Sequence, residues 1–88
     1  MYLSVNSVKV LKDYQLALTF ENDETRVFDV KPYLDTGVFK KLNDESFFKL
    51  VKVSFDTIAW PNGIDLDPEV LYEKSVRVPS SAYEQGIF

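Results

Sequence analysis

The chain has 88 residues, a length that makes one domain at most and a small core. It holds no Cys and no His, which excludes disulfides, thiolate metal sites, cysteine nucleophiles, Ser-His-Asp triads and zinc sites of the ordinary kind. The net charge of −4, without a basic stretch, argues against nucleic-acid binding, and 45% apolar residues argue against disorder.

The first elements read as strands. Residues 7–12 (SVKVLK) place β-branched side chains at alternate positions, and Leu16, Leu18 and Phe20 follow two apart. After ENDE, residues 25–30 (TRVFDV) alternate again, which predicts a three-stranded antiparallel meander. A two-residue loop at Asn22-Asp23 would set Leu16 opposite Asp29 and mix the faces. A three-residue loop, residues 21–23, sets Leu16 opposite Phe28 and Tyr14 opposite Val30, so the apolar groups share one face. Such a loop wants a left-handed residue in last place, and Asp23 tolerates that better than most.

Pro32 cannot donate to a ladder and ends the third strand. Residues 38–44 (VFKKLND) fit a helical turn or a short extended piece. A short helix is expected next, capped by Asn43 or Asp44, with Phe47, Leu50 and Val51 as its buried stripe. Val51, Val53 and Phe55 then alternate as a half-buried strand, Asp56-Thr57 turns the chain, and Ile58 and Trp60 share one side of the next strand. Pro61-Asn62-Gly63 is a turn on mechanism, since proline presets φ and glycine accepts positive φ. Asp67 is a favoured N-cap and Pro68 a favoured first residue for a last helix of about two turns. The remainder, VRVPSSAYEQGIF, has weak periodicity and predicts no element. The fold expected is α+β: an antiparallel three-stranded meander, a short helix, a second β-hairpin and a short C-terminal helix. Residues 1–78 would form the domain and residues 79–88 a C-terminal tail.

Few residues suggest chemistry. Asp65, Asp67 and Glu69 are oxygen donors for a hard cation, but their spacing does not match an EF-hand loop. The simpler reading makes Asp67 a cap, Glu69 a first-turn acid that suits the helix dipole, and Asp65 a turn residue. Asp29, between Phe28 and Val30, reads as a solvent-facing strand residue paired with a cation. Trp60 reads as a core or rim residue, with ring stacking on a ligand as the other outcome; Tyr14, Tyr33, Phe39 and Tyr72 share that ambiguity. Gly occurs only at 37, 63 and 86, so no glycine cluster cradles a phosphate. Tyr83, Ile87 and Phe88 form an apolar excess in the tail that either folds back or docks. Candidate partner-binding residues are therefore Trp60, Asp65, Tyr72, Tyr83 and Phe88. No basic N-terminal region precedes an apolar run, and no run approaches the ~20 residues of a membrane span. A cytoplasmic location without membrane contact is expected.

Several motifs together resemble a small, mostly bacterial family known as domain of unknown function 2442. They are Arg26-Val27-Phe28-Asp29-Val30 followed by Pro32, the Gly37-Val38-Phe39 step, Phe47, Val51, and Trp60-Pro61-Asn62-Gly63 with Asp65, Pro68 and Leu71-Tyr72. The resemblance spans about residues 16–72. The chain departs from the family at Asp23, where glycine is usual. The resemblance implies a small α+β fold with no established activity. Family genes often sit beside another short uncharacterised domain, in an arrangement similar to toxin–antitoxin pairs, and some members are fused to a helix-turn-helix domain.

The leading expectation is a non-enzymatic protein-interaction or regulatory module, antitoxin-like or accessory to a DNA-binding regulator. It would have no cofactor and no metal, and a small neighbouring-gene product or a second copy as its partner. The competing expectation is a metal-dependent enzyme using Asp65 and Asp67, with Asp29 as a further candidate. Asp67→Ala separates the two. As a lost cap it lowers stability by roughly 0.5–2 kcal/mol in thermal or urea unfolding. A ligand or catalyst role predicts unchanged or increased stability.

Overall fold

The structure, a computed structural model, describes residues 3–79. Strands β1 (Val5–Val10), β2 (Gln15–Phe20) and β3 (Thr25–Asp29) form the expected antiparallel meander. β1 starts two residues earlier than expected because Asp13 and Tyr14 form the turn, both with φ of 59°, and leave Lys12 outside the strand. The loop has three residues, Lys12 to Tyr14, since Val10 pairs with Leu16 and Leu11 N donates to the Gln15 carbonyl at 2.9 Å. Tyr14 is bulky for a positive φ, but the fold holds it. Its carbonyl accepts from Val30 N at 3.0 Å, its hydroxyl donates to the Asn43 carbonyl, and its ring meets Phe48 edge-on at 5.1 Å.

The second turn is the three-residue loop read from the alternation. Phe20 N donates to the Glu24 carbonyl at 2.9 Å, Asp23 has φ of 66°, and Leu16 lies opposite Phe28. Leu16, Leu18, Phe20, Phe28 and Val30 are consequently all buried in one core.

After β3 the chain runs through two 3-10 turns, Lys31–Tyr33 and Gly37–Asn43, the second of which buries Leu42. Helix α1 (Glu45–Phe48) follows, and the Asp44 side chain caps it by accepting from Ser46 N at 3.0 Å. Phe47 and Val51 of the expected stripe are half-buried and pack against the core, and the stripe is corrected at Leu50. The helix lasts a single turn, so the 3.6-residue period is not sustained and Leu50 falls beyond its end, 54% exposed. Phe48 is the inward residue, stacked on Trp60 with centroids 6.0 Å apart.

Strands β4 (Lys52–Ser54), β5 (Thr57–Trp60) and β6 (Ile64–Asp65) form a second antiparallel sheet in that order. The hairpin turn is Phe55-Asp56, not Asp56-Thr57, since Ser54 pairs with Thr57. Tertiary bonds select this register: the Asp56 carbonyl accepts from Val5 N at 3.0 Å, and the Thr57 hydroxyl donates to the Leu66 carbonyl. Phe55 is therefore a turn residue and not a half-buried strand residue. Ile58 and Trp60 point inward as expected. The 3-10 turn Pro61–Gly63 reverses the chain, with Asn62 at φ 71° and Gly63 at φ 75°. β6 then pairs back on β5, Trp60 opposite Ile64 and Ala59 opposite Asp65. Asp65 is thus an exposed strand residue and not part of the turn.

Helix α2 (Pro68–Lys74) starts as read. Asp67 accepts from Glu69 N at 2.8 Å, Pro68 leads, and Leu71 is fully buried. Val76–Val78, expected to form no element, is strand β7, antiparallel to β3 at the margin of the first sheet. Three alternating residues carry no signal alone; the β3 edge supplies their partners. The first sheet is thus β1-β2-β3-β7.

The Trp60 indole donates to the Phe48 carbonyl at 2.8 Å in buried surroundings. Trp60→Phe keeps the ring but strands that carbonyl, so unfolding followed by circular dichroism is expected to show a loss of roughly 1–3 kcal/mol.

Candidate functional site

The densest polar cluster joins β3 to α2 and β7. Arg26 extends from β3, and its guanidinium lies 4.2 Å from the centre of the Tyr72 ring on α2. Its Nε donates to Ser75 Oγ at 2.8 Å, Nη2 to the Ser75 carbonyl at 2.9 Å and Nη1 to Glu24 Oε2 at 3.2 Å. The Tyr72 hydroxyl donates to that same Glu24 oxygen at 2.7 Å, and its ring meets Phe20 edge-on at 5.1 Å. Ser75 Oγ in turn donates to the Tyr72 carbonyl at 3.0 Å. A cation thereby faces the carbonyl end of α2, where the helix dipole favours it, and the helix is fixed just before the chain enters β7.

Donation from Tyr72, and then from Arg26, holds the Glu24 carboxyl below its ordinary 4.5. Accepting by Glu24 holds the Tyr72 hydroxyl above its ordinary 10.0. These shifts keep Glu24 charged and Tyr72 neutral at physiological pH, which suits a clasp and offers no poised acid or base. A depressed carboxyl stabilises the fold fully above its unfolded pKa, and that contribution is lost as pH falls through the folded value. A raised hydroxyl stabilises fully below its unfolded pKa and loses its contribution as pH rises. The stability difference between wild type and Glu24→Gln is therefore expected to be largest near neutral pH. It should shrink below about pH 4.5 in thermal unfolding across a pH series.

The candidate partner-binding residues are dispersed. Trp60 is 3% exposed and belongs to the core, which corrects its assignment to a contact surface. Asp65 is exposed on β6, and Tyr72 is half-buried with ring and hydroxyl both engaged. Tyr83 and Phe88 lie outside the described residues, as does Ile87. The proposed carboxylate site does not assemble. Asp67 caps α2, and Asp29 sits on β3 with its side chain 3.5 Å from the Lys31 ammonium. No group of three His, Cys, Asp or Glu among the described residues is placed to hold a metal ion. No helix among the described residues is long and apolar enough to cross a membrane.

A different set of residues stands out on the surface: Val38, Leu50, Phe55 and Val76 are large, apolar and exposed. Phe55 is fully exposed, with φ of 56° at the first position of its two-residue turn. Sequence reasoning missed it because the alternation of Val51, Val53 and Phe55 points all three inward. It missed Leu50 by extending α1 one turn too far. Only the hairpin register and the helix end distinguish these cases. Val38 borders a depression of about 440 Å³ lined also by Gly37, Lys40, Lys41, Asn62 and Ile64. Val76 borders another beside Val27 and Val78.

No curated protein and no solved structure matches the chain. The family described as "Protein of unknown function (DUF2442)" matches residues 5–77. The match includes both sheets, both helices and the clasp around Arg26, and the chain belongs to this family.

Proposed function

We propose that this domain is a non-catalytic protein-interaction module, antitoxin-like or accessory to a DNA-binding regulator, that acts in the cytoplasm. The observation that carries the reading is the exposure of Val38, Leu50, Phe55 and Val76 on a chain whose core is already closed by large side chains. Apolar side chains gathered into an exposed patch mark contact surfaces, and Val76 is gathered with Val27 and Val78 around one depression. The absence of His and Cys from the sequence and the structural engagement of Glu24 and Tyr72 support a role without catalysis. The gene arrangement common in the family supports a small neighbouring-gene product as partner.

Val76 is the exposed group beside the margin of the larger sheet, where a partner strand or loop finds both backbone and apolar surface. Co-expression with the neighbouring product, tagging each in turn, is expected to yield a complex that survives size exclusion. Val76→Lys should weaken it about tenfold or more, as for a side chain worth more than ~1 kcal/mol at an interface. Failure to recover a complex in either tagging order would sink the pairing.

A further inference from the structure

Burial along β2 and β3 does not alternate as it would in a sheet with one wet face. Leu16, Leu18 and Phe20 on β2 and Phe28 on β3 face the core, and the register puts Ala17, Thr25 and Val27 on the opposite face. Yet Ala17 is 4% exposed, Thr25 4% and Val27 8%. An antiparallel sheet open to water on one side alternates buried and exposed residues, whereas burial on both faces marks a sheet covered on both sides. Ala17 and Val27 stand outside the core cluster, so the core does not account for their burial.

β7 extends the same outer face. Val76 lies opposite Val27 and Val78 opposite Thr25, so both valines project to that side. With Ala17, opposite Val27 on its other flank, they form an apolar band across β2, β3 and β7. Val27, Val76 and Val78 border a depression of about 380 Å³ in that band. Val76 is 67% exposed, so the band is open at its margin.

The course of the chain names the segment within reach. Pro79 follows Val78 directly and has no N–H for a ladder, so pairing along β3 stops there. The core side of this margin is taken, since Arg26 holds Tyr72 of α2 and Ser75 against it. Residues 80–88 lie outside the described residues and follow on from the edge of the band. Ser80 and Ser81 suit a change of direction, and Ala82, Tyr83, Ile87 and Phe88 are apolar. Crossing from β7 to β2 spans two strand spacings, about 10 Å, and residues 82–88 reach about 23 Å when extended. A tethered segment meets the face at the effective concentration of a short linker, so it needs less contact area than a separate partner.

We propose that residues 80–88 fold back over the outer face of the first sheet, with Tyr83, Ile87 and Phe88 against Val27, Val76 and Val78, so that a partner reaches this face only by displacing them. The displacement rests on the reading of Val76 as a partner-contact residue; the fold-back stands on the sheet alone.

Nuclear Overhauser contacts in the isotope-labelled full chain are expected between the Tyr83 and Phe88 rings and the methyls of Val27, Val76 and Val78. A mixture of labelled and unlabelled chains, filtered for contacts between molecules, should show none of them. Absence of the contacts overturns the fold-back, and so does their appearance between molecules, which would assign the face to a second copy. In the full chain, Ile87→Ser combined with Phe88→Ser should abolish the contacts and leave the pairing of the four strands intact. The same variant should bind the neighbouring product about tenfold more tightly, as for a face that is free about a tenth of the time in wild type. Equal or weaker binding overturns the displacement. Recovery of no complex from either protein sinks the interaction-module reading, while the contacts within the free chain still decide the fold-back.

Discussion

The register of the β2–β3 hairpin is the constraint on which the rest of the structure depends. With three residues in the loop and Asp23 left-handed, Leu16 faces Phe28, and Leu16, Leu18, Phe20 and Phe28 are all buried. A slip of one residue would turn one strand's apolar set away from the core. The other core groups join them in a single cluster, among them Leu42 and Phe48 from the middle of the chain, Ile58, Trp60 and Ile64 from the second sheet, and Leu71 from α2. A domain of this size has no second core to fall back on.

Two polar ties then fix what the apolar face cannot orient. The indole of Trp60 bonds the Phe48 carbonyl and aligns the second sheet with α1. The clasp of Glu24, Arg26, Tyr72 and Ser75 aligns α2 and starts β7 along β3. Both ties run between elements far apart in sequence, and both satisfy backbone carbonyls that burial would otherwise penalise. No buried side-chain polar atom among the described residues lacks a partner. Glu24 and Tyr72, the pair among the described residues whose titration is shifted, are therefore spent on architecture.

Much of the fold was legible in the residues. Alternation at Leu16, Leu18 and Phe20 and at Phe28 and Val30 placed the meander, and the face-sharing argument chose the loop length. The Asp67-Pro68-Glu69 order placed the start of α2, because a capping side chain and a preset φ act locally. The short elements were less visible. β6 has two residues and β7 three, and neither is stable without a partner strand already in place. The alternation of Ile64 and Leu66 with Asp65 and Asp67 was present in the sequence and marks the inward and outward sides of β6. Beside Pro61-Asn62-Gly63 it reads as readily as part of a turn.

The candidate site divides in the same way. Sequence alone determined the family, the α+β class and the removal of histidine and cysteine chemistry, because these follow from residue identity and local spacing. The tertiary structure decided which aromatics are core and which are surface. Trp60 is enclosed by Phe48 and the second sheet, while Phe55 stands outside because bonds from Val5 to Asp56 and from Thr57 to Leu66 fix the hairpin register. Alternation records which side of a strand a residue occupies. Whether that residue is in the strand at all depends on partners far away in the chain, and those are brought together only by the fold.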